Sequence, residues 1–305
     1  MSWASRPWAW AASTNSSSVP LAVQPQSHTI CLIMVADSKA SGLRFGCDAV
    51  TPTMRIYLAG EVCLEVSDRL IHERLLPGPQ GRHLLAFLAA EHVRAVGHDE
   101  IVDELWQGSP PRAWATSLKA LASRIRTVMS SAGVDGQQLL AGAPGVYRFR
   151  LPERAWLDLD AASAGVHDAE TLLRRGDPQG AVRAAFVTRL ITARRLLPGQ
   201  TGPWLERCRR QLADLRLRAL ECSAGAHIAG GVPGHAIRDA QLALELAPLR
   251  EPTWRLLMDA HAAAGDTASA LAAFARCQLA LREALGVGPS AATRERHSAL
   301  LAEAG

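Results

Sequence analysis

The sequence has few of the motifs that carry catalytic or cofactor chemistry. Its 305 residues contain no GxxxxGK loop followed by Ser or Thr, no GxSxG and no HExxH. The six cysteines form no CxxC pair and no metal-ligand spacing with histidine, so we expect reduced, buried thiols, no metal and no cofactor. These absences argue against nucleotide-dependent, hydrolytic and zinc-dependent chemistry, and we predict that the protein is not an enzyme.

Long apolar runs are also missing. No stretch approaches the ~20 residues that a membrane helix needs, and residues 8–12 are too short for the core of a signal peptide. Apolar residues make up 48%, charged residues 20%, and the net charge is +4, as in a globular protein long enough for two domains. We therefore expect a cytoplasmic protein with no membrane partner, in which any nucleic-acid binding depends on local clusters of cations.

Residues 1–53 lack sustained hydrophobic periodicity and are rich in Ser, Ala, Pro and Trp. A segment of this kind cannot bury enough apolar surface to fold, so we predict that it is disordered. Met54 precedes the first patterned element, and the segment can equally be an extension that arises from a misplaced start codon. A regulatory arm is the functional alternative.

A helix-turn-helix pattern follows. Apolar residues at even positions from Ile56 to Val66 predict one half-buried strand, with a short second strand at residues 69–72. Helices are predicted at residues 80–95, 98–106 and 112–129, separated by Gly97 and by the Gly/Pro connection at residues 108–111. Two helices joined by a short turn, the second one basic, are typical of a helix-turn-helix unit.

The helix at residues 112–129 has one apolar face and one small, cationic face. The apolar stripe is formed by Leu118, Leu121, Ala122, Ile125 and Met129. The opposite face consists of Thr116, Ala120, Ser123 and Thr127, flanked by Lys119, Arg124 and Arg126. Such a face suits the DNA major groove, because small side chains allow close approach to base edges and cations meet phosphates. A solvated basic surface helix has the same pattern, and either way we expect Arg124 and Arg126 to be dispensable for folding.

Two β-prone runs after this helix predict a hairpin. Leu139-Leu140 and residues 146–149 flank the Gly/Pro-containing segment 141–145. A hairpin directly after a recognition helix is a wing, in which Arg148 and Arg150 would lie beside the minor groove. An exposed strand cation without a DNA role is the alternative for Arg148.

These elements together resemble the winged helix of response-regulator effector domains. The phrases DELWQGSPP, SRIRTVM and APGVYRFR resemble, more closely, the Streptomyces antibiotic regulatory protein (SARP) family. Matched by position, the resemblance implies that the DNA-facing residues are Thr116, Ser117, Lys119, Ser123, Arg124, Arg126 and the wing residue Arg148. Two positions depart from the family. His98 stands where a Ser or Thr helix cap is usual, and Val146 interrupts the commoner Gly-Tyr pair, which leaves the register of Arg148 open.

The second half of the chain repeats itself. Ala226-His227 recurs as Ala260-His261 after 34 residues, and Gly231 and Ala236 recur at the same offset as Gly265 and Ala270. This period is typical of tetratricopeptide helix pairs, with glycine in the turn and alanine at close helix contacts. Gly176 and Ala181 show the same spacing, so we predict at least three stacked helical hairpins. Packing within the repeats explains His227 and His261 better than metal binding does.

This half, entered through WLDLD at residues 156–160, resembles the bacterial transcriptional activator domain of the same family. The phrases PWLERCRRQLADLRLRALE and APLREPTWRLLMDAH carry that resemblance, which covers residues 54–301 overall. The predicted fold is mainly α. A winged helix-turn-helix domain with a small β-sheet and wing (residues 54–152) precedes an all-α tetratricopeptide-like repeat domain (residues 153–305).

The resemblance implies a sequence-specific DNA-binding transcriptional activator of a secondary-metabolite (antibiotic) pathway. Its implied partners are double-stranded promoter DNA with direct repeats, RNA polymerase holoenzyme and a second copy of the chain on DNA. The alternative, from a different class, is a helical-repeat adaptor whose winged helix does not read DNA. The cationic helix face favours the first interpretation, since an adaptor has no need of Lys119, Arg124 and Arg126 around a ridge of small residues.

Overall fold

A computed structural model describes residues 53–67 and 69–304. The expectations for the N-terminal segment, except Thr53, therefore lie outside the described residues. The first half contains β1 (Met54–Tyr57), β2 (Cys63–Val66), β3 (Arg69–Ile71), a 3-10 turn (Glu73–Leu75), α1 (Gly78–Ala90), β4 (Val96–Gly97), α2 (His98–Trp106), α3 (Trp114–Ser131), α4 (Gly136–Leu139), β5 (Leu140–Ala143), β6 (Val146–Phe149) and β7 (Ala155–Leu157). The second half contains α5 (Asp158–Arg174), α6 (Pro178–Thr192), α7 (Pro203–Ala229), α8 (Pro233–Leu246), α9 (Glu251–Ala263), α10 (Thr267–Leu285) and α11 (Ala291–Ala304).

The N-terminal sheet has the order β3-β2-β1-β7. The expectation of one strand across residues 56–66 is wrong, because the chain turns at Gly60, where φ is +90°, and β2 pairs antiparallel with β1. Ile56 lies opposite Leu64, so apolar residues keep the same parity on both sides of the turn. The alternation therefore could not reveal the turn, and the glycine was its one local signal.

Strand β7 was not expected. Part of the WLDLD segment forms this strand, which pairs parallel with β1, with Met54 opposite Ala155 and Ile56 opposite Leu157. Helix α5 then begins at Asp158. The predicted boundary between residues 152 and 153 thus falls just before a strand that completes the first sheet.

Helices α1 to α3 pack beside a second sheet of order β4-β6-β5. Helix α2 has the predicted bounds, and α3 lies two residues further along the chain than predicted. Helix α1 ends at Ala90 rather than at residue 95, because the chain turns so that the buried Val96 can pair with Tyr147 of the hairpin.

The second half consists of helical hairpins, as the repeat predicted. Helices pair as α5 with α6, α7 with α8, and α9 with α10. The turn glycines Gly176, Gly231 and Gly265 have φ of +78°, +70° and +75°, which confirms their placement in the turns. The matching alanines, Ala181, Ala236 and Ala270, are fully buried where helices meet. The architecture is therefore mainly helical, with a small N-terminal sheet followed by helical repeats.

One hydrophobic cluster crosses the boundary between the two halves. Apolar side chains of the sheet and of α1 to α3 share a single cluster with Leu196, Leu197, Trp204, Leu205 and Leu212 of the second half. The backbone also connects them, since Gly60 N donates to Arg195 O at 3.1 Å and Ala59 bridges Leu196. The connection between α6 and α7 and the first turns of α7 are therefore part of the core that supports the helix-turn-helix unit.

Asp158 joins the halves through a buried carboxylate. Its Oδ2 accepts the N–H groups of Leu58 and Ala59, both at 2.8 Å. Burial raises the pKa of Asp158 to about 6, and these two donors together with the nearby charge of Arg194 only partly offset that effect.

We expect Asp158→Asn to remove a pH dependence from the stability. A pKa of about 6 in the folded protein lies above that of an unfolded aspartate, so the folded state holds this proton more tightly. The contribution of Asp158 to stability is therefore greatest below the unfolded pKa and falls as the pH rises through 6. The difference between the folded and unfolded pKa values of Asp158 corresponds to about 3 kcal/mol in the free energy of unfolding. Urea unfolding between about pH 4 and pH 8 should show this fall in the wild type relative to the variant.

Asp168→Asn provides the control, because Asp168 is exposed on the same helix. It should keep the wild-type pH profile. Superimposable profiles for the wild type and Asp158→Asn would contradict the assignment.

We expect Gly265→Val to destabilise the helical half by at least about 1 kcal/mol, because a β-branched residue disfavours positive φ. A Cβ at Gly265 would meet nothing within 4 Å, so backbone strain is the only cause to consider. Gly288→Val is the matched control, at an exposed glycine without positive φ and with equally open space. Thermal melts should separate the two variants, and equal melting temperatures would remove the strain argument.

Candidate nucleic-acid interface

Helix α3 presents the two faces that its sequence predicted. Its buried residues are Leu118, Leu121, Ala122, Ile125 and Met129, which confirms the core-facing stripe. On the opposite face Thr116, Lys119, Ser123, Arg124 and Thr127 are exposed. The amphipathic period therefore fixes which side of the helix is free to meet a ligand.

The predicted DNA-facing residues differ in how free they are. Thr116, Lys119, Ser123 and Arg124 share the exposed face of α3, whereas Ser117 and Arg126 are partly buried. Lys119 and Arg124 have no carboxylate within ion-pair distance among the residues that the structure describes. Since the sequence has no acidic residue between Gln107 and Asp135, nothing within the helix neutralises this face.

Arg126 is engaged by the hairpin. Its Nε donates to Leu140 O at 2.9 Å, and its guanidinium lies 5.8 Å from the centre of the Tyr147 ring. A Cβ at Gly142 would lie 3.1 Å from Arg126 Nη2, so the hairpin backbone approaches the side chain closely. The arginine thus holds the wing against α3, which the sequence could not show because its partners lie 14 or more residues further along the chain.

The hairpin has the form of a wing, with a fixed register. Strands β5 and β6 pair antiparallel across Pro144-Gly145, where Gly145 has φ of +77°, as the third position of a type II turn requires. Tyr147 and Phe149 point into the core, and Arg148 is exposed opposite Ala141. Val146 keeps this register by pairing with Ala143 on one side and Gly97 on the other. Arg148 Nη2 also donates to Val93 O at 3.3 Å.

The start of α2 differs from the expectation that His98 occupies the helix cap. The cap residue is Gly97, which has no side chain to accept the N–H groups of the first turn. Its own N–H donates to Glu100 Oε1 at 3.2 Å, which is the half of a capping box that the carboxylate supplies. Arg94 Nη2 in turn donates to Glu100 Oε2 at 2.8 Å. This pair holds the pKa of Glu100 below its ordinary value.

His98 instead links α2 to the hairpin and to α3. Its N–H donates to Gly145 O at the tip of the wing at 2.8 Å. Its ring lies 5.2 Å from that of Tyr147 and edge-on to that of Trp114, the first residue of α3, at 6.3 Å. Sequence reasoning missed this role, and its only local signal was the departure of His98 from the cap chemistry of the family.

Metal binding and membrane insertion can also be checked in the part of the chain that the structure describes. Among them, no three His, Cys, Asp or Glu side chains lie together so as to hold a metal ion. His227 Nδ1 instead lies 3.1 Å from Asp239 Oδ2, within the repeat. No helix in the described ranges has the length and apolar character to cross a bilayer.

Comparison with known proteins matches both halves. Residues 157–301 match the family model of the bacterial transcriptional activator domain. The transcriptional regulatory protein EmbR of Mycobacterium tuberculosis is 28% identical over 236 residues, covering 73% of this chain and 58% of EmbR. The transcriptional regulator RedD of Streptomyces coelicolor is 32% identical over 235 residues, covering 73% of this chain and 64% of RedD. The regulatory protein AfsR of Streptomyces griseus is 30% identical over 211 residues, covering 69% of this chain and 21% of AfsR.

A solved structure supports the same fold. EmbR of Mycobacterium tuberculosis, in complex with a low-affinity phosphopeptide, superposes with a TM-score of 0.72 at 25% identity, covering 83% of this chain and 66% of EmbR. The chain belongs to the SARP-type transcriptional regulators. It spans about 58% of the length of the EmbR sequence that it matches.

In this SARP-type regulator the assignment of Thr116, Ser117, Lys119, Ser123, Arg124, Arg126 and Arg148 to DNA stays a prediction. The structure distinguishes these residues by how exposed their side chains are and by whether they already bind another part of the protein. Arg124 is free on the exposed face, whereas Arg126 is also bound within the protein.

We expect the two arginines of α3 to differ in their effect on folding. Arg124→Ala should change the free energy of unfolding by less than ~0.5 kcal/mol, as is usual at an exposed site. Arg126→Ala should lower it by about 1–2 kcal/mol, because it removes a hydrogen bond to Leu140 O and the contact with Tyr147. The expectation from sequence that neither substitution affects folding thus no longer applies to Arg126.

Urea titrations of the two variants and the wild type test this difference. Arg124→Ala acts as the matched control for loss of one cation. Equal stabilities would mean that the contacts of Arg126 with the hairpin contribute nothing.

Proposed function

We propose that this SARP-type regulator is a sequence-specific DNA-binding transcriptional activator. In this proposal α3 lies in the major groove and the β5–β6 wing lies beside the adjacent minor groove. The observation that carries it is the exposed face of α3, where unpaired cations flank small polar residues while the opposite face is buried in the core. Close approach to base edges and charge for phosphates are the two requirements of such a helix.

Each residue then has a distinct role. Thr116 and Ser123 are small enough to let the helix backbone approach the bases, and Arg124 and Lys119 have the reach to contact base edges or phosphates. Arg148 projects from the wing toward the DNA backbone. Arg126 contributes chiefly by holding the wing in place, so its effect on DNA binding passes through geometry as well as charge.

The wider role follows from the family. We propose that the protein acts in the cytoplasm at direct repeats in promoter DNA, binds there as a homodimer, and recruits RNA polymerase holoenzyme through its helical half. Its targets would be the genes of a secondary-metabolite (antibiotic) pathway. Similarity to the named regulators RedD and AfsR of Streptomyces species supports this proposal.

We expect Arg124→Ala to weaken binding to DNA selected by the wild-type protein from a random-sequence pool. If Arg124 reads a base, specific binding should weaken by about 1–3 kcal/mol, while binding to scrambled DNA changes little. If it contacts only phosphate, affinity should fall equally on both DNAs and the salt slope should drop by about one. Gel-shift titrations at two salt concentrations distinguish these cases.

Two controls accompany this test. Arg183→Ala removes an exposed cation from the helical half and should leave DNA affinity unchanged. Leu118→Ala should cost roughly 2–5 kcal/mol of stability through a buried cavity. If Arg124→Ala bound the selected DNA as tightly as the wild type, α3 would not be the reading element, and a protein-binding adaptor would explain the fold better.

A further inference from the structure

Helix α7 begins without a cap of its own. An α-helix leaves its first N–H groups without partners inside the helix. This 27-residue helix follows Gly202, which has no side chain to accept them. The acceptor comes from the helix-turn-helix unit. Glu104 of α2 accepts Trp204 N through Oε2 at 2.7 Å and Leu205 N through Oε1 at 3.2 Å.

The Glu104 carboxylate is enclosed by donors from two helices. The residue is only 2% exposed, and its Oε1 also lies 2.7 Å from Nε2 of His83 in α1. Desolvation raises the pKa of Glu104, but the hydrogen bonds from His83 and from the first turn of α7 outweigh it, and the pKa lies below its ordinary value. Its negative charge also faces the positive end of the α7 dipole.

Gly202 makes this approach possible. A Cβ at this position would lie 2.0 Å from Glu104 Oε1, a distance that no structure tolerates. The backbone there is extended, with φ of 163°, so conformational freedom is not the reason for glycine. Trp204 then closes over the site, with its ring 4.9 Å from that of Phe87 and its Nε1 donating to Glu91 Oε1 at 3.0 Å.

We infer that Glu104 is a positioning residue that fixes the direction of α7, and with it the activator domain, relative to the recognition helix. The inference rests on the proposed function and deepens it. Glu104 lies on the first helix of the helix-turn-helix pair, and α7 is the helix against which α6, α8 and α5 pack. A carboxylate that accepts two successive N–H groups sets the direction of the helix as well as the position of its end.

The apolar contacts alone fix this direction less sharply. Trp204 and Leu205 are held by burial in the shared core, which is non-directional. Without the Glu104 cap we expect α7 to stay docked but to fray in its first turn, so that the activator domain samples a range of orientations. The protein would then still bind its promoter but would present the activator domain to the transcription machinery less effectively.

Two substitutions in the full-length protein test the inference. Glu104→Gln keeps the shape of the side chain but places an N–H₂ group where a carboxylate oxygen accepted an N–H. Gly202→Ala keeps the Glu104 side chain but adds a Cβ that pushes its carboxylate away from the start of α7. The matched controls are Asp103→Asn, at the exposed neighbouring position on α2, and Gly234→Ala, at a glycine near the start of α8 where a Cβ meets nothing within 4 Å.

The first measurement is amide hydrogen exchange in peptides covering residues 202–208, and it needs no DNA. Both test variants should lose protection there by at least about tenfold, because a hydrogen bond to a charged acceptor is lost. Both controls should exchange like the wild type. Unchanged protection at Trp204 and Leu205 in both test variants would overturn the cap, whether or not the protein binds DNA.

The second measurement compares DNA affinity with activation of a reporter promoter that carries the selected site. It is made at a temperature at which circular dichroism shows all variants folded. We expect affinity within about threefold of the wild type but activation reduced about tenfold or more, since only the orientation is lost. A parallel loss of affinity and activation, or no loss of activation, would overturn the positioning role. If one variant fails to fold, the other decides, and a wild-type protein that binds no DNA would refute the proposed function but not the cap.

Discussion

The structure depends on two buried carboxylates that satisfy backbone N–H groups across the junction of its halves. Glu104 reaches from the first half to the start of α7, and Asp158 reaches back from the second half to the end of β1. A buried N–H without a partner would be costly, and so would a buried carboxylate without donors. Each half therefore supplies a carboxylate that accepts N–H groups of the other half, and neither set of hydrogen bonds can form when the halves are separate.

Helix α3 takes its position from this same junction. Leu118 and Ile125 of α3 belong to the cluster that includes Trp204 and Leu205. The face of α3 that would meet DNA is thus the part of the helix surface that the core does not bury. Arg126 stands at the border between the two faces, and the hairpin binds it. Arg124 lies on the exposed face, where its guanidinium is open to a ligand.

Features that recur with a period in the sequence were predictable, and features that depend on a single contact between segments were not. The apolar stripes recur with the period of a helix and the turn glycines Gly231 and Gly265 after 34 residues, so both were visible in the sequence. Strand β7 and the contacts of Arg126 need partners far along the chain. Glu104 did leave a signal, since it lies three residues after Ile101 and beside Leu105 on the buried stripe of α2. A carboxylate on an apolar stripe indicates a buried partner, but the sequence could not identify it.

The start of the activator-domain match is not a boundary of packing. The activator-domain match begins at Leu157, the last residue of β7, whose strand pairs with β1 of the preceding sheet. Separation at residue 152 would expose the edge of β1 and leave Leu58 N and Ala59 N without Asp158. It would also remove from Glu104 the N–H groups of Trp204 and Leu205 that it accepts. The packing unit that contains α1 to α3 extends through β7 into the first turns of α7, and this shared region lets one half position the other.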